Sequence, residues 1–371
     1  MDKSRKVMSK RIDVTKTYLP DKEKYKKYVD RIYENGWVTN NGPLVQELEK
    51  RLAEFLGVKN IVLVANGTVA LEIAYRTLAI TGYVITTPFS FVATTSSLVT
   101  NGLKPIFADI NPTTLNIDPE NIKNVITQNT SAIVPVHVFG NGCEVEEIET
   151  IAKENNLKVI YDAAHAFDVK YKGQSILNYG DISTLSFHAT KLFHTIEGGA
   201  LIINDDKLVQ KARYLINFGI ENKESIPELG TNAKMNEFEA AMGLALLDDM
   251  EKLKSKRKEI YGKYSQKLKG LVQFQEQNDD TTLNYSYFPI ILKDTKQAEK
   301  VQQALNDKDI FPRRYFYPSL DTLSYIEPKQ YAPISRNIAS RILCLPLFAE
   351  LSDVNCELIS RTVFECVKDS P

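Results

Sequence analysis

The sequence predicts an α/β protein: a large domain on a mostly parallel, doubly wound sheet, followed by a smaller C-terminal α/β domain. Three observations carry this. Short apolar runs alternate with helical patterns, which is how a parallel sheet covered on both faces reads. At 371 residues the chain is long enough for a large core plus a second one. Its apolar content of 43% and charged content of 25% match ordinary globular domains and set aside the fibrous and disordered classes. The boundary is expected near residue 250, giving domains over 1–250 and 251–371.

In order, Lys22 to Tyr33 reads as a polar helix, and Gly36 to Pro43 as a loop by its Gly, Asn and Pro content. Leu44, Val45, Leu48, Leu52, Phe55 and Leu56 fall on one face of a helix that Gly57 would cap. Ile61 to Val64 is a buried strand, and Ala65-Asn66-Gly67-Thr68 opens a helix through about Leu78. Further strands are expected at Tyr83–Thr86, Pro105–Asp109, Ala132–His137, Val159–Tyr161, Thr184–Phe187 and Leu201–Ile203, with a helix over Val145–Glu154. Glu221 to Gly230 reads as a surface loop. One long helical pattern starts at Glu237, runs through Met250 and becomes basic over Lys252–Lys258, the wet face of a helix rather than a nucleic-acid patch. Gln275–Thr281 is a polar loop and Tyr285–Leu292 a strand of the smaller domain.

Several function classes drop out. The formal net charge of −1 gives no global attraction to nucleic acid or anionic membrane. No apolar run reaches the ~18 residues of a membrane span. Met1 to Lys6 lacks the apolar core of a signal peptide, so a cytoplasmic protein is expected. The four cysteines have no CxxC spacing and the four histidines no HxxxH or HExxH spacing, so neither a disulfide framework nor a metal site is expected. There is no internal repeat.

The chemistry concentrates in Asp162-Ala163-Ala164-His165 and Ser186-Phe187-His188-Ala189-Thr190-Lys191, the latter followed by Glu197-Gly198-Gly199. Asp162 stands at the carboxyl end of an apolar strand, where open α/β sheets hold their ligands. An Asp and a Lys presented this way suit pyridoxal phosphate, which needs an amine to form a Schiff base with its aldehyde and a carboxylate to keep its ring nitrogen protonated. Gly67 and Thr68 at a helix start form an anion site for the cofactor's phosphate. A plain helix cap at Asn66 or Thr68 explains the same residues equally well. Phe91 is suited to stack on a flat ring, and a core phenylalanine is the simpler alternative. His137, at a strand end, reads as a site residue or as a structural histidine.

Those motifs together resemble the DegT/DnrJ/EryC1/StrS aminotransferases over about Asn35 to Phe348. The resemblance implies a fold-type-I pyridoxal phosphate enzyme that aminates nucleotide-linked keto sugars. It implies Lys191 as the catalytic lysine, Gly67, Thr68 and Ser186 at the phosphate, Phe91 on the ring, Asp162 at the ring nitrogen and His165 near the ring hydroxyl. His188 and Thr190 would meet substrate. The loop Gly230–Glu237 would cross to the partner of a homodimer, with Asn232 and Lys234 reaching its phosphate; Lys234 stands where a planar Arg or an Asn is usual. Arg313, Tyr315 and Tyr317 would contact the nucleotide sugar, although an ordinary interface segment also fits them. L-Glutamate is the implied donor, and dTDP-4-keto-6-deoxyglucose the implied acceptor, aminated at C4. UDP- and GDP-linked sugars and C3 amination stay open. So do a lyase acting on amino acids and a sugar-nucleotide-binding regulator without turnover. Lys191 itself disfavours the dehydratase branch of the family, which carries His there.

Overall fold

The computed structural model describes residues 11–368; the Met1–Lys6 segment read above lies outside the described residues. A seven-stranded sheet forms the main core: β1 Ile61–Val64, β2 Tyr83–Thr86, β3 Lys104–Phe107, β4 Thr130–Val134, β5 Lys158–Asp162, β6 Ile182–Ser186 and β7 Gly199–Ile203. Their order is β1-β7-β6-β5-β4-β2-β3. All run parallel except β7, which is antiparallel to both neighbours. Every residue of β1 and β7 is buried, because helices cover both faces. Alternation along β1 shows the two faces directly. Ile61 and Leu63 join the core with the helices Pro43–Leu56 and Glu237–Leu247, whereas Val62 and Val64 join the core with the helix Gly67–Thr77.

Local rules set the helix ends. Gly42, before Pro43, has no side chain to cap with, so the buried Glu237 carboxylate accepts from the N–H groups of Leu44 and Val45 at 2.8 and 2.9 Å. Gly57 closes the same helix in a left-handed conformation (φ 65°), as its position predicts. The single helical run expected from Glu237 is instead two helices, Glu237–Leu247 and Met250–Leu268. They break at Asp248-Asp249, where Asp249 accepts from Lys24 Nζ at 2.8 Å and from the Tyr18 hydroxyl at 3.1 Å.

The helix Met250–Leu268 leads from one core to the other. Met250 and Leu253 pack in the main core, and Ile260, Tyr264 and Leu268 in a second. That second core covers an antiparallel sheet of β8 Gln273–Phe274, β9 Pro289–Ile291 and β10 Ile342–Cys344. Ile12–Asp13 pairs in parallel with Ile310–Phe311, so the first described residues also lie against the second unit. The basic stretch exposes Lys252, Lys256 and Lys258, but Lys254 is half-buried, and Leu253 and Arg257 are buried; Arg257 donates to the carbonyls of Tyr285 at 2.9 Å and Ser286 at 2.8 Å. The strand expected over Tyr285–Leu292 shortens to β9, because Asn284–Tyr287 turns toward the main sheet instead. Among the described residues, no helix is long and apolar enough to cross a membrane.

Candidate active site

The carboxyl ends of β1, β2, β5 and β6 converge on one cavity of about 270 Å³. β1 delivers Asn66, Gly67 and Thr68, and the turn after β2 delivers Ser90 and Phe91. β5 ends in Asp162 and continues to His165; β6 ends in Ser186 and the chain runs on to His188, Thr190 and Lys191. Tyr287, Arg313, Tyr315 and Phe316 close it from the second unit.

One end of the cavity is a cradle. Asn66 caps the helix Gly67–Thr77 by accepting from the Val69 N–H at 2.9 Å. The cap reading of Asn66 therefore holds, and it leaves the first N–H groups of that helix at the cavity. A Cβ on Gly67 would stand 2.7 Å from Ser186 Cβ, and one on Gly199 would stand 2.6 Å from the Asn66 carbonyl carbon. Only glycine at both places lets helix start, β6 and β7 close this tightly, with the Thr68 and Ser186 side chains at the rim. Backbone N–H groups, a helix N-terminus and two hydroxyls suit a phosphate-sized anion.

Asp162 is buried on the cavity floor. Its Oδ2 accepts from Thr94 Oγ1 at 2.7 Å and its Oδ1 from the Ala164 N–H at 3.1 Å. Burial pushes this carboxyl up, while those two donors and the Lys191 charge pull it down. Ser90 Oγ lies 2.7 Å from Thr94 Oγ1, extending the chain of hydroxyls. Lys191 lines the cavity, and burial lowers its ammonium to about 8 against the opposing pull of Asp162. Its Nζ lies 3.5 Å from the Tyr287 hydroxyl. His165 accepts the Phe139 N–H on Nδ1 at 3.2 Å, and burial drives the ring's pKa well down. A neutral ring that accepts on Nδ1 carries its proton on Nε2. The ring stacks on Phe316, 5.5 Å between centroids at 4°.

Phe91 is half exposed at the cavity edge, heading the helix Val92–Thr100. His188 is exposed, bonded to Thr190 Oγ1 through Nδ1 at 2.8 Å and 3.6 Å from Glu197 through Nε2. Arg313 and Tyr315 both reach the cavity, the guanidinium 4.5 Å above the Tyr315 ring. Tyr317 stands outside it, half exposed under the Arg314 guanidinium. Asn232 and Lys234 also stand apart from it. Lys234 Nζ donates to Asn232 Oδ1 at 2.7 Å and lies 4.7 Å from the Phe218 ring. His137 is fully buried outside the cavity, stacked on Tyr161 at 4.7 Å, with Nδ1 accepting from the Cys143 N–H.

Sequence reasoning missed Thr94 and Tyr287, and named Glu197 only within its motif, without a role. Thr94 had a weak signal, because it lies one helical turn after Phe91 and so on the same side of that helix start. Tyr287 had none: it sits in an apolar run that reads as core.

An amine and a carboxylate lining one cavity at the carboxyl edge of a doubly wound sheet, beside an anion cradle, are the layout of an aminotransferase. The comparisons make this specific: residues 20–364 match the model of the DegT/DnrJ/EryC1/StrS aminotransferase family, and the chain belongs to that family. The dTDP-4-amino-4,6-dideoxy-D-glucose transaminase of Shigella dysenteriae is 46% identical over 365 residues, covering 96% of this chain and all of that one. The transaminase of the same name from Escherichia coli is 42% identical, covering 93% of this chain and 95% of its own. Among solved structures, DesI in the presence of its TDP-sugar product superposes with a TM-score of 0.92 at 31% identity, covering 97% of this chain and 93% of that one.

Proposed function

We propose that this protein uses pyridoxal phosphate to move an amino group from L-glutamate to C4 of dTDP-4-keto-6-deoxyglucose, giving dTDP-4-amino-4,6-dideoxyglucose. The observation that carries the reading is Lys191 and Asp162 lining one cavity with the Gly67–Ser186 cradle. The names and near-full-length identity of the Shigella and E. coli relatives support the sugar and the position aminated.

The residues present fit the cofactor. The cradle of Gly67, Thr68 and Ser186 suits its phosphate, Lys191 its aldehyde, Asp162 its ring nitrogen and Phe91 its ring face. His165 Nε2, carrying the proton, is the donor available for a ring hydroxyl. Bound there, pyridoxal phosphate supplies an electron sink for charge developing at the carbon that bears the amine. The protein supplies the rest. Thr94 and Ala164 donate to Asp162 and so favour its ionised form against burial, the form that can keep a neighbouring nitrogen protonated. An ammonium lowered to about 8 leaves a fraction of Lys191 neutral near neutral pH, so Nζ can take a proton as a base and return it as an acid. Arg313 and Tyr315 offer a charge and an aromatic face for the diphosphate and base of a nucleotide sugar. His188 and Glu197 are exposed and line the cavity, which makes them available to the sugar.

The working form in this reading is a cytoplasmic homodimer. Asn232 and Lys234 stand away from their own chain's cavity, which leaves them available to the partner's phosphate. The experiment is visible absorption of the protein loaded with pyridoxal phosphate, before and after glutamate, then mass analysis after the keto sugar is added. Bleaching by glutamate and a product bearing one amine in place of the ketone are expected. A band that glutamate leaves unchanged overturns the donor, and no band at all overturns the role of Lys191.

A further inference from the structure

We infer that Tyr287 is a positioning residue for the reactive amine, held against Lys191 by a lock made of Asn284 and Arg257. The inference rests on the reading of Lys191 given above. Tyr287 Oη is 3.5 Å from Lys191 Nζ, within the same cavity. Its ring is 8% exposed and wedged at 4.7 Å against His165, 5.5 Å against Phe139 and 5.7 Å against Tyr315. A ring confined on these sides presents its hydroxyl along one direction only.

The backbone is confined as well. Asn284 Nδ2 donates to the carbonyls of His165 at 2.8 Å and Phe167 at 2.9 Å, while its Oδ1 accepts from the Ser286 N–H at 3.1 Å. Arg257 spans the carbonyls of Tyr285 and Ser286 from the helix Met250–Leu268. Both lock residues are buried. Between them Tyr285 takes a left-handed conformation (φ 58°), which a bulky residue adopts only where its surroundings over-determine it. The lock therefore ties the second unit to the turn that carries His165, and its end point is the Tyr287 hydroxyl.

At that hydroxyl two states of the amine are served. The ammonium donates to Tyr287 Oη, and the neutral amine accepts its proton. The charge-assisted bond is the stronger, so Tyr287 favours the ammonium and opposes the effect of burial on Lys191. The other titratable groups of the cavity are Asp162 and His165 from the β5 end, His188 and Glu197 from the loop between β6 and β7, and Arg313 and Tyr315 from the second unit. Among the described residues, Tyr287 is the group whose side chain lies within hydrogen-bond distance of Lys191 Nζ.

The test compares wild type, Tyr287→Phe, Asn284→Ala and the double variant, each as the full chain. Two readouts are taken. The first is the pH dependence of reductive methylation at Lys191, followed by peptide mass in protein freed of cofactor. The second is the rate at which glutamate bleaches the loaded protein. In Tyr287→Phe the methylation midpoint should fall by about one pH unit and bleaching slow about tenfold, the order set by one hydrogen bond to a charged group. Asn284→Ala should move both readouts the same way, and the double variant should be no worse than Tyr287→Phe, because Asn284 acts through Tyr287. A Tyr287→Phe midpoint and rate equal to wild type overturn the inference, as do additive losses in the double variant. Retained turnover in Lys191→Ala would instead overturn the reading of the lysine, so the two failures are distinct.

Discussion

Thr94→Val tests how the protein keeps a buried carboxylate ionised. The change is nearly isosteric and removes one hydroxyl from a fully buried site. That hydroxyl donates to Asp162 Oδ2 at 2.7 Å; the Ala164 N–H donates to Oδ1, and the Lys191 charge acts in the same direction. A hydrogen bond to a charged group contributes roughly 1.5–3 kcal/mol, so its loss should lift the Asp162 carboxyl further. Burial already holds it above its ordinary 3.8. A carboxyl raised in the fold binds its proton more tightly there than in the unfolded chain. Ionised Asp162 therefore costs stability at neutral pH, and that cost disappears as pH falls through the raised value. Thr94→Val should accordingly melt roughly 3–12 °C below wild type near neutral pH, given ~2–4 °C per kcal/mol for a unit of this size. The deficit should be smaller at acidic pH than at neutral pH, because Asp162 takes up its proton as the pH falls through the raised value. Thermal melts of the cofactor-free chain at both pH values measure this, with Thr94→Ser as the variant that keeps the hydroxyl. Equal deficits at both pH values, or an undiminished effect of Thr94→Val in an Asp162→Asn background, would refute the reasoning.

Three further outcomes are expected. Lys191→Ala should lose the visible band and all turnover; absorption and a turnover assay check both. Gly67→Ala should fold but bind pyridoxal phosphate at least tenfold more weakly, because its new Cβ would stand 2.7 Å from Ser186 Cβ; titration by absorbance measures the loss. Lys191→Ala and Lys234→Ala should each be inactive alone. Mixed by unfolding and refolding together, they should recover about a quarter of the wild-type sites if each site draws on both subunits; an inactive mixture rules out sharing through Lys234.

Much of the fold was legible because the information is local. Gly57 ends its helix, Asn66 starts the next, and the run to Asp162 ends at the sheet edge, each following from the residue and its immediate neighbours. The helix break at Asp248-Asp249 was not legible: the partners that hold the Asp249 side chain, Lys24 and Tyr18, lie more than two hundred residues away in sequence. Arg257 looked like one more cation in a basic run; the carbonyls that bury it belong to a distant turn.

By itself, the sequence determined the sheet, its flanking helices and the residue types that chemistry needs on one edge. Strand and helix periods are written in consecutive residues, and a lysine, an aspartate and a glycine turn are chemically specific wherever they fall. Only the tertiary structure decided which side chains share the cavity. It brought Thr94 to Asp162 and Tyr287 to Lys191, left Tyr317 outside, and set Asn232 and Lys234 apart from their own chain's site. The physical reason is that side-chain proximity across separate elements depends on how those elements pack, and no local pattern encodes that distance.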